Sequence, residues 1–494
     1  MSKLKQLSGA MVPLLFGSVQ AQTLTLSMDD AIASALDRNF AIRIERIEPE
    51  IAREEIRSAS GLYDPVLESR YFYQRDEDSV SDRDHEVASV EMSVGATLPW
   101  GTQIEGSILS TDSTTPEPFD PLTNEFNQNI QTNVRSFAGI SVRQPILRGF
   151  GLDGTHTQVR IARESAETSW QGFRARVMDT VQSTIAAYQG LYFAQENLRI
   201  AERNRDLAVQ LLKDNRKRVE TGAMAPLDIV QAESEAALRE VSVISARALL
   251  RQAQNGLKQL VWDNPESVLD LNLKILPPEE PAFFAPDLAR DYQLAMENLP
   301  EYISTESGLR IRQWQVKEAR RNALPQLDLT GSYGHVGIRD DLNDSISDAF
   351  GDGEKSYSVG AVLSIPFPNR SRSAERTQAY LRRNQAKMEL NQLEQSIRIE
   401  LDNASTQLKA DWERIQAARK ARELSEKSLR AEEKKLRAGT STTFVVLRLQ
   451  GDLAIAEIRE TNALADYSIA LARYHRARGK ILDIHNISLE GSRK

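Results

Sequence analysis

The chain has 494 residues, enough for several cores, with 40% hydrophobic and 27% charged residues and a formal net charge of −8. That mild acidity argues against a nucleic-acid surface, which shows a basic face, and no window of eighteen clean apolar residues offers a transmembrane helix. The absence of cysteine excludes structural disulfides and a lipid-modified N-terminal cysteine.

Lys3 and Lys5 precede a modest apolar stretch, Met11 to Phe16, and Val19-Gln20-Ala21 puts small residues at the cleavage-selecting positions. Residues 1–21 are read as a secretory signal cleaved after Ala21; the alternative is a frayed N-terminus. Beyond the signal the chain is a tandem repeat. Residues 35–73 align without a gap on 295–333, placing Pro65 on Pro325, Leu67 on Leu327 and Tyr73 on Tyr333. In each copy a helix meets a proline and then alternates apolar with polar. Proline disfavours helix at the residue before it, so Pro65 and Pro325 mark switches from helix to strand.

The first repeat is read as residues 22–262: helix 27–62, strands 63–147, long helix 157–220 and returning helix 226–262. Val177, Val181, Ile185, Tyr188, Leu191, Ala194, Leu198 and Ala201 give the long helix an apolar seam at steps of three and four. About 60 helical residues make a rod of roughly 90 Å. Gly222 reads as its left-handed stop, and Pro226 suits the first turn of the helix that returns.

Residues 263–286, rich in Pro and Glu, read as a linker. The second repeat, 287–480, has the same order: helix 287–322, strands 325–366, long helix 372–437 and returning helix 443–480. A seam at Ile397, Leu401, Ala404, Leu408, Ile415 and Ala418 and a stop at Gly439 match the first. Residues 481–494 read as a tail. In each half, two shorter helices of roughly 35 residues equal one long one in length. That predicts paired antiparallel columns, one continuous and one stacked from two pieces, with strands at one end.

The strand end carries a membrane signal. Val87–Leu98 and Gln103–Ser110 are joined by the short Pro99-Trp100-Gly101-Thr102, whereas the joints at 74–86, 111–135 and 335–355 are long and polar. Short turns on one side and long loops on the other fit an outer-membrane barrel. Alternation at Val90, Met92, Val94, Ala96 and at Val359, Ala361, Leu363, Ile365 agrees, and Trp100, Tyr71, Tyr73, Tyr333 and Tyr357 near strand ends suggest an aromatic girdle. A soluble sandwich would alternate too. The strands are too few to close a barrel within one chain, so closure needs several copies.

The tandem repeat, Gln144-Pro145-Ile146-Leu147-Arg148-Gly149 leading into a long helix, the glycine turns at Gly222 and Gly439, and Asp228-Ile229-Val230-Gln231-Ala232 after the first turn together resemble the TolC family of outer-membrane efflux and secretion channels. The resemblance covers nearly all of the chain after the signal. It implies a mainly α fold with a membrane β-barrel part: long antiparallel helices forming a periplasmic α-barrel, and strands forming an outer-membrane β-barrel shared within a homotrimer. It also implies outer-membrane lipid around the barrel, and an inner-membrane pump joined through a periplasmic adaptor. The family's usual twelve-stranded barrel needs four strands per copy, so residues 87–110 look like an extra hairpin: either the barrel is larger or the hairpin lies outside it. Well-described members narrow the tunnel mouth with acidic side chains just past the second glycine turn. Here the matching positions hold Val445 and Arg448, while Asp228 does match an acidic position that helps hold the mouth closed.

Other motifs give less. Gly149-Phe150-Gly151-Leu152-Asp153-Gly154 fits the dinucleotide fingerprint, but the helix after it is far too long and no strand with a ribose-binding acid comes after it. Gly149 and Gly151 suit instead a joint from strand to helix. With Pro65, Pro145, Pro325 and Pro366 they mark the expected barrel-to-helix transitions. In the acidic run at Asp340, Asp341, Asp344, Asp348 and Asp352, the stretch Asp348-Ala349-Phe350-Gly351-Asp352-Gly353 hints at a calcium loop, but Phe350 and Val359 occupy its third and twelfth positions and the ligand set fails. The five histidines have no metal spacing. No catalytic constellation and no cofactor are expected, and Trp170, Trp314 and Trp412 read as packing or interface anchors.

The turns are the functional candidates. Gly222 and Gly439 place Asp228, Thr443, Val445 and Arg448 at one exposed end of the helices, the expected periplasmic aperture and adaptor-docking tips. An ordinary αα-hairpin would look the same locally. The function expected is an outer-membrane exit duct, passive and not an enzyme, of a tripartite efflux pump or a type I secretion system. The alternative is a soluble periplasmic coiled-coil scaffold.

Overall fold

The computed structural model describes residues 23–78, 83–116, 130–152, 156–222, 225–269 and 271–489; the expected signal segment, residues 1–21 with Ala21, lies outside them. The described chain falls into two compact units, a helical one (residues 23–49, 169–304 and 391–489) and one that carries the main sheet (50–168 and 305–390).

In chain order the elements are β1 (Thr23–Leu26), α1 (Met28–Arg38), α2 (Phe40–Glu45), α3 (Glu48–Ser60), β2 (Val66–Asp78), β3 (Arg83–Thr97), β4 (Gln103–Pro116), β5 (Ile130–Pro145), α4 (Thr157–Glu220) and α5 (Pro226–Val261). Then come β6 (Asn272–Ile275), α6 (Leu288–Asn298), α7 (Pro300–Asn322), β7 (Gln326–Arg339), α8 (Leu342–Phe350), β8 (Glu354–Ser364), α9 (Arg370–Arg437), α10 (Thr443–Ala477) and α11 (Ile481–Ile484). No helix among the described residues is long and apolar enough to cross a membrane.

The helices expected over 27–62 and 287–322 are each broken. Asn39 adopts an extended backbone, and its side chain accepts from the Ala41 N–H (2.9 Å), so it ends α1 and caps α2. At the matching place Leu299 is extended before Pro300, where proline disfavours the helical conformation.

In the helical unit three clusters of buried side chains form the core. One packs Ile397, Leu401, Leu408 and Ile415 of α9 against Tyr467 and Tyr474 of α10. A second gathers Tyr188 and Leu191 of α4, Leu257 of α5, and Leu26, Leu273 and Ile275. The last three belong to a two-stranded parallel sheet, β1 with β6, in which Leu26 pairs with Ile275. Thus the stretch expected to be a linker, 263–286, contains a strand. The Tyr188 hydroxyl donates toward the carbonyls of Leu26 (3.2 Å) and Leu276 (2.8 Å), tying the small sheet to α4. Burial, with Asp30 nearby, pushes that phenol up to about 12. Downstream, the Tyr467 hydroxyl accepts from the Phe284 N–H and donates to the Ala282 carbonyl, both at 3.0 Å, so the rest of the stretch is pinned as well. The expected tail at 481–494 is also corrected: Ile481 and Leu482 are buried with Ile32, Ile42 and Phe173 in the third cluster.

His475 lies in the same unit against Phe284 and Tyr474, and its buried Nδ1 has no partner among the described residues. Burial pushes the imidazole down to about 3, and the Arg478 and His485 charges add to this. An unfolded chain protonates histidine near 6.5, so between about pH 6.5 and pH 3 the unfolded state binds more protons. The stability contribution is therefore complete above pH 6.5 and is lost as pH falls. Thermal unfolding in detergent should show Tm dropping from pH 7 to pH 4, less steeply in His475→Gln. An unchanged slope would assign the acid sensitivity elsewhere, for instance to His485, which burial also pushes down.

In the other unit, six antiparallel strands form one sheet in the order β2-β3-β4-β5-β7-β8. The hairpin of residues 87–110 is therefore inside the sheet. The strands outrun the expected joints: β2 pairs with β3 as far as Asp78 with Arg83, and β4 with β5 as far as Pro116 with Ile130. Polar residues dominate these extensions, supported by pairs such as Arg75 with Glu86 (3.4 Å). This lengthening leaves Tyr71, Tyr73, Tyr333 and Tyr357 within the strands, not at their ends.

Registers across the sheet sort its side chains. One row of neighbours reads Leu67, Val94, Gly106, Ile140, Tyr333, Tyr357; the row on the opposite face, one residue along, reads Glu68, Ser93, Ser107, Gly139, Gly334, Ser356. The first face continues with Ala96, Ile104, Val142, Gly331 and Val359, the second with Glu105, Ser141, Ser332 and Ser358. In these central rows the first face is apolar and the second small or polar, the alternation expected of a membrane wall, although Phe72, Leu109, Phe137, Ile338 and Val362 fall on the second face.

The segment 335–355 is not a long open loop. β7 runs through Arg339, and α8 folds back on the sheet, its N-cap Asp341 accepting from the Asn343 N–H (2.8 Å). Buried Ser345 donates among the Val134 and Gly337 carbonyls and the Ser136 hydroxyl, each at 2.9 Å. Asp348 pairs with Arg339 (2.5 Å), which uses one of the acids of the calcium-like run. Among the described residues no acidic or histidine group has the arrangement of a metal site.

Candidate functional site

Two places hold the residues singled out by the sequence. At the first, both long helices stop on a left-handed glycine, Gly222 at φ +72° and Gly439 at φ +73°. After α9 the cap is a full Schellman motif: the Gly439 N–H donates to Leu436 (3.1 Å) and the Thr440 N–H to Lys435 (2.9 Å). After α4 the Gly222 N–H donates to Val219 (2.9 Å). Open space surrounds both glycines among the described residues, so backbone conformation, not crowding, selects them. Pro226 and Thr443 begin the returning helices α5 and α10.

These returning helices share a cleft of about 590 Å³, lined by Asp228, Glu235 and Arg239 of α5 and by Thr443, Phe444, Arg448 and Asp452 of α10. The structure thus brings Asp228, Thr443 and Arg448 together. Val445 is half-buried and is not among the lining residues. The Thr443 hydroxyl is buried without a partner among the described residues. Arg239, paired with Glu235, lies over Gly451, where a Cβ would stand 2.9 Å from its Nη2. That arginine–glycine contact had no signal in the sequence beyond a glycine inside a helix.

A second contact at the tip was also missed. Glu432 of α9 accepts from the Ser441 hydroxyl (2.6 Å) and from Lys435 Nζ (3.0 Å). Ser441 and Lys435 hold its carboxyl below the usual range, with the Arg448 charge adding to them. The second tip thus sets this stabilised carboxylate beside Lys434, Lys435 and Arg437 in the last turn of α9, while the first has Asp228, partly exposed, in the opening turn of α5.

At the second place, strand becomes helix. Pro65 and Pro325 stand one residue ahead of β2 and β7, Pro145 is the last residue of β5, and Pro366 lies just past β8. Gly149 (φ +83°) and Gly151 (φ +79°) turn the chain toward α4; Gly154 lies outside the described residues. The short turn between β3 and β4 packs onto this joint. The Gly151 N–H donates to the Trp100 carbonyl (2.9 Å), and a Cβ on Gly101 would stand 2.2 Å from the Gly149 carbonyl. Thr102 also hydrogen-bonds Gln144. The joint is locked to the hairpin, a connection that no local sequence signal announces.

Of the tryptophans, Trp412 packs between Phe283 (5.4 Å) and Tyr467 (5.3 Å), and Trp170 packs on Phe173 (5.5 Å). Trp314 lies beneath the charges of Arg160 (4.4 Å) and Lys317 (4.0 Å).

Long helices in antiparallel pairs with a two-faced, open-edged sheet define a TolC-like outer-membrane channel fold. The chain belongs to the outer membrane efflux protein family, whose model matches residues 122–261 and 292–480. It is similar to the outer membrane efflux protein BepC of Brucella suis biovar 1, 24% identical over 345 residues, or 69% of this chain and 72% of that protein. It is also similar to the alkaline protease secretion protein AprF of Pseudomonas aeruginosa, 23% identical over 340 residues covering 68% and 67% of the two chains. In fold it resembles the outer membrane channel CmeC of Campylobacter jejuni, with a TM-score of 0.68 at 15% identity over 92% of this chain and 86% of that one. The protein is an outer-membrane efflux channel with a helical periplasmic extension, which sets aside the soluble scaffold.

Proposed function

We propose that this chain is the passive exit duct of a tripartite efflux pump or a type I secretion system. Three copies assemble into the working channel, surrounded by outer-membrane lipid and joined to an inner-membrane pump through a periplasmic adaptor. The observation that carries the reading is the sheet: its central rows set an apolar face against one of small and polar residues, and at β2 and β8 it ends in edges that no other described strand pairs. Such a sheet is half a solution in water and a wall segment in lipid. Detergent extraction from outer membranes, with none released by osmotic shock, is the expected fractionation; release by shock alone contradicts the reading.

The glycine-capped tips are the proposed aperture and adaptor-docking ends, formed by Gly222, Asp228, Gly439, Thr443, Val445 and Arg448. Asp228 is partly exposed and presents its charge to a neighbouring helix, where charge or hydrogen-bond contact holds the mouth shut. Asp228→Ala should raise the resting conductance and admit antibiotics that the parent excludes. If both stay at parent values, Asp228 is not part of the gate.

A further inference from the structure

We infer that the membrane wall is a closed barrel of eighteen strands, six from each of three copies, in which β8 of one copy pairs antiparallel with β2 of the next, Leu363 opposite Tyr71 and Ala361 opposite Tyr73. The inference rests on the trimer proposed above and departs from the twelve strands that the family resemblance implies.

The hairpin comes first. A twelve-stranded wall would require β3 and β4 to leave the sheet and β2 to meet β5. Instead β2 pairs with β3 along its whole length, and β4 with β5 from Gln103 opposite Arg143 to Pro116 opposite Ile130. The Ser110 and Ser136 hydroxyls are hydrogen-bonded across β4 and β5 at 2.9 Å and buried. The hairpin's turn is seated on Gly149 through Gly101, which has no room for a side chain. Both hairpin strands also carry the apolar face and the polar face of their neighbours. The hairpin is wall.

The edges come next. β2 and β8 are the first and last strands of an antiparallel six-stranded sheet, so they run in opposite directions. A second copy placed beside the first therefore continues the antiparallel order, and an even strand count lets the ring close. Both edges present large apolar side chains on the same face: Leu67 and Tyr71 on β2, Val359 (90% exposed) and Leu363 on β8. Exposed edges of this length pair with something.

The internal repeat supplies the register. Residues 65–73 recur as 325–333, and residues 136–145 recur as 357–366 with Gly139 on Gly360 and Pro145 on Pro366. Within one chain the two repeats meet at β5 and β7, where Val142 lies opposite Gly331 and Ile140 opposite Tyr333. The junction between copies joins the equivalent strands in the other order, end of the second repeat to start of the first. Carrying the β5–β7 pairs through the repeat puts Leu363 opposite Tyr71 and Ala361 opposite Tyr73. This register keeps each face continuous across the junction, with Leu363 beside Tyr71, Ala361 beside Tyr73 and Val359 beside Arg75, whereas a slip of one residue would set one face against the other.

Disulfide cross-linking tests it, and the chain has no cysteine of its own. Two adjacent pairs, Tyr73→Cys with Ala361→Cys and Gln74→Cys with Gly360→Cys, bracket the alternation of antiparallel pairs, so at least one has the short Cα spacing a disulfide needs. Oxidised outer membranes should give a covalent trimer from one or both. Tyr73→Cys with Gly360→Cys, whose side chains face opposite ways, should stay monomeric on a denaturing gel. Ser69→Cys with Met92→Cys should form its disulfide within one copy of the assembled protein. Trimers recovered from the outer membrane but cross-linked by neither in-register pair overturn the junction, and cross-linking by the out-of-register pair overturns the register. Loss of the Ser69–Met92 link in such trimers overturns eighteen strands. A parent chain recovered as a soluble monomer overturns the proposed function itself.

Discussion

Asp291→Ala is expected to destabilise the helical unit by about 3–5 kcal/mol, the cost of removing one partner of a buried, hydrogen-bonded charge pair. Asp291 is 3% exposed and sits at the start of α6. Its carboxylate accepts from the Tyr474 hydroxyl (2.5 Å), from the Arg478 guanidinium (3.1 Å) and from the Asp287 N–H (3.2 Å). Asp291 also helps push the Tyr474 phenol up, after burial itself. Without the carboxylate, Arg478 is left a largely buried cation beside Phe284, whose ring face at 5.1 Å offers only a weak substitute. Thermal unfolding of the detergent-solubilised protein measures the loss. Asp291→Asn should recover part of it, since an amide still accepts from tyrosine; equal loss in both variants would assign the whole effect to the ion pair.

Gly337→Val should lift α8 from the sheet, at a cost of about 1–3 kcal/mol for overpacking. A Cβ at Gly337 would stand 2.2 Å from the Ser345 carbonyl and 3.0 Å from the Ala349 nitrogen. Both are helix backbone and cannot step aside as a side-chain end can. The displacement also breaks the Ser345 hydroxyl's contacts to Val134, Ser136 and Gly337, leaving buried polar groups unpaired. Limited proteolysis between residues 340 and 353 on intact cells should become rapid in Gly337→Val and stay slow in the parent. A cleavage rate equal to the parent's would mean that the helix tolerates the methyl groups by a small shift.

Neither Asp291 nor Gly337 stands out in the sequence, unlike the frame that holds them. The long helices could be read because their glycine stops, Gly222 and Gly439, and their seams from Val177 to Ala194 are local signals. The sheet could be read as alternation, but the place of the 87–110 hairpin within it could not, because the second repeat has no counterpart to it. Asp291 could not: nothing in Leu-Ala-Arg-Asp-Tyr says that the acid turns inward to meet Tyr474 on α10 and Arg478 just past it, far along the chain. The β1–β6 pair was missed because each strand has only four residues, and its parallel partner lies in a stretch whose prolines and glutamates dominate its composition. α8 was hidden by its acids, although Asp341 before Leu342, Ile346 and Ala349 is a cap ahead of helical spacing. At the tips, the sequence placed Asp228, Thr443 and Arg448 together because the two repeats match. It did not place Glu432 or Arg239, whose partners are set by packing between helices.

Whether this chain forms a conducting duct through the outer membrane is read most directly by planar-bilayer recording of the detergent-extracted oligomer. Insertion is expected with discrete, long-lived conductance steps that are small in the parent, if its aperture rests nearly closed, and larger in Asp228→Ala. Large steps in the parent would keep the duct and remove the closed gate. A purified oligomer that stays in solution and never inserts would contradict a role as an outer-membrane duct.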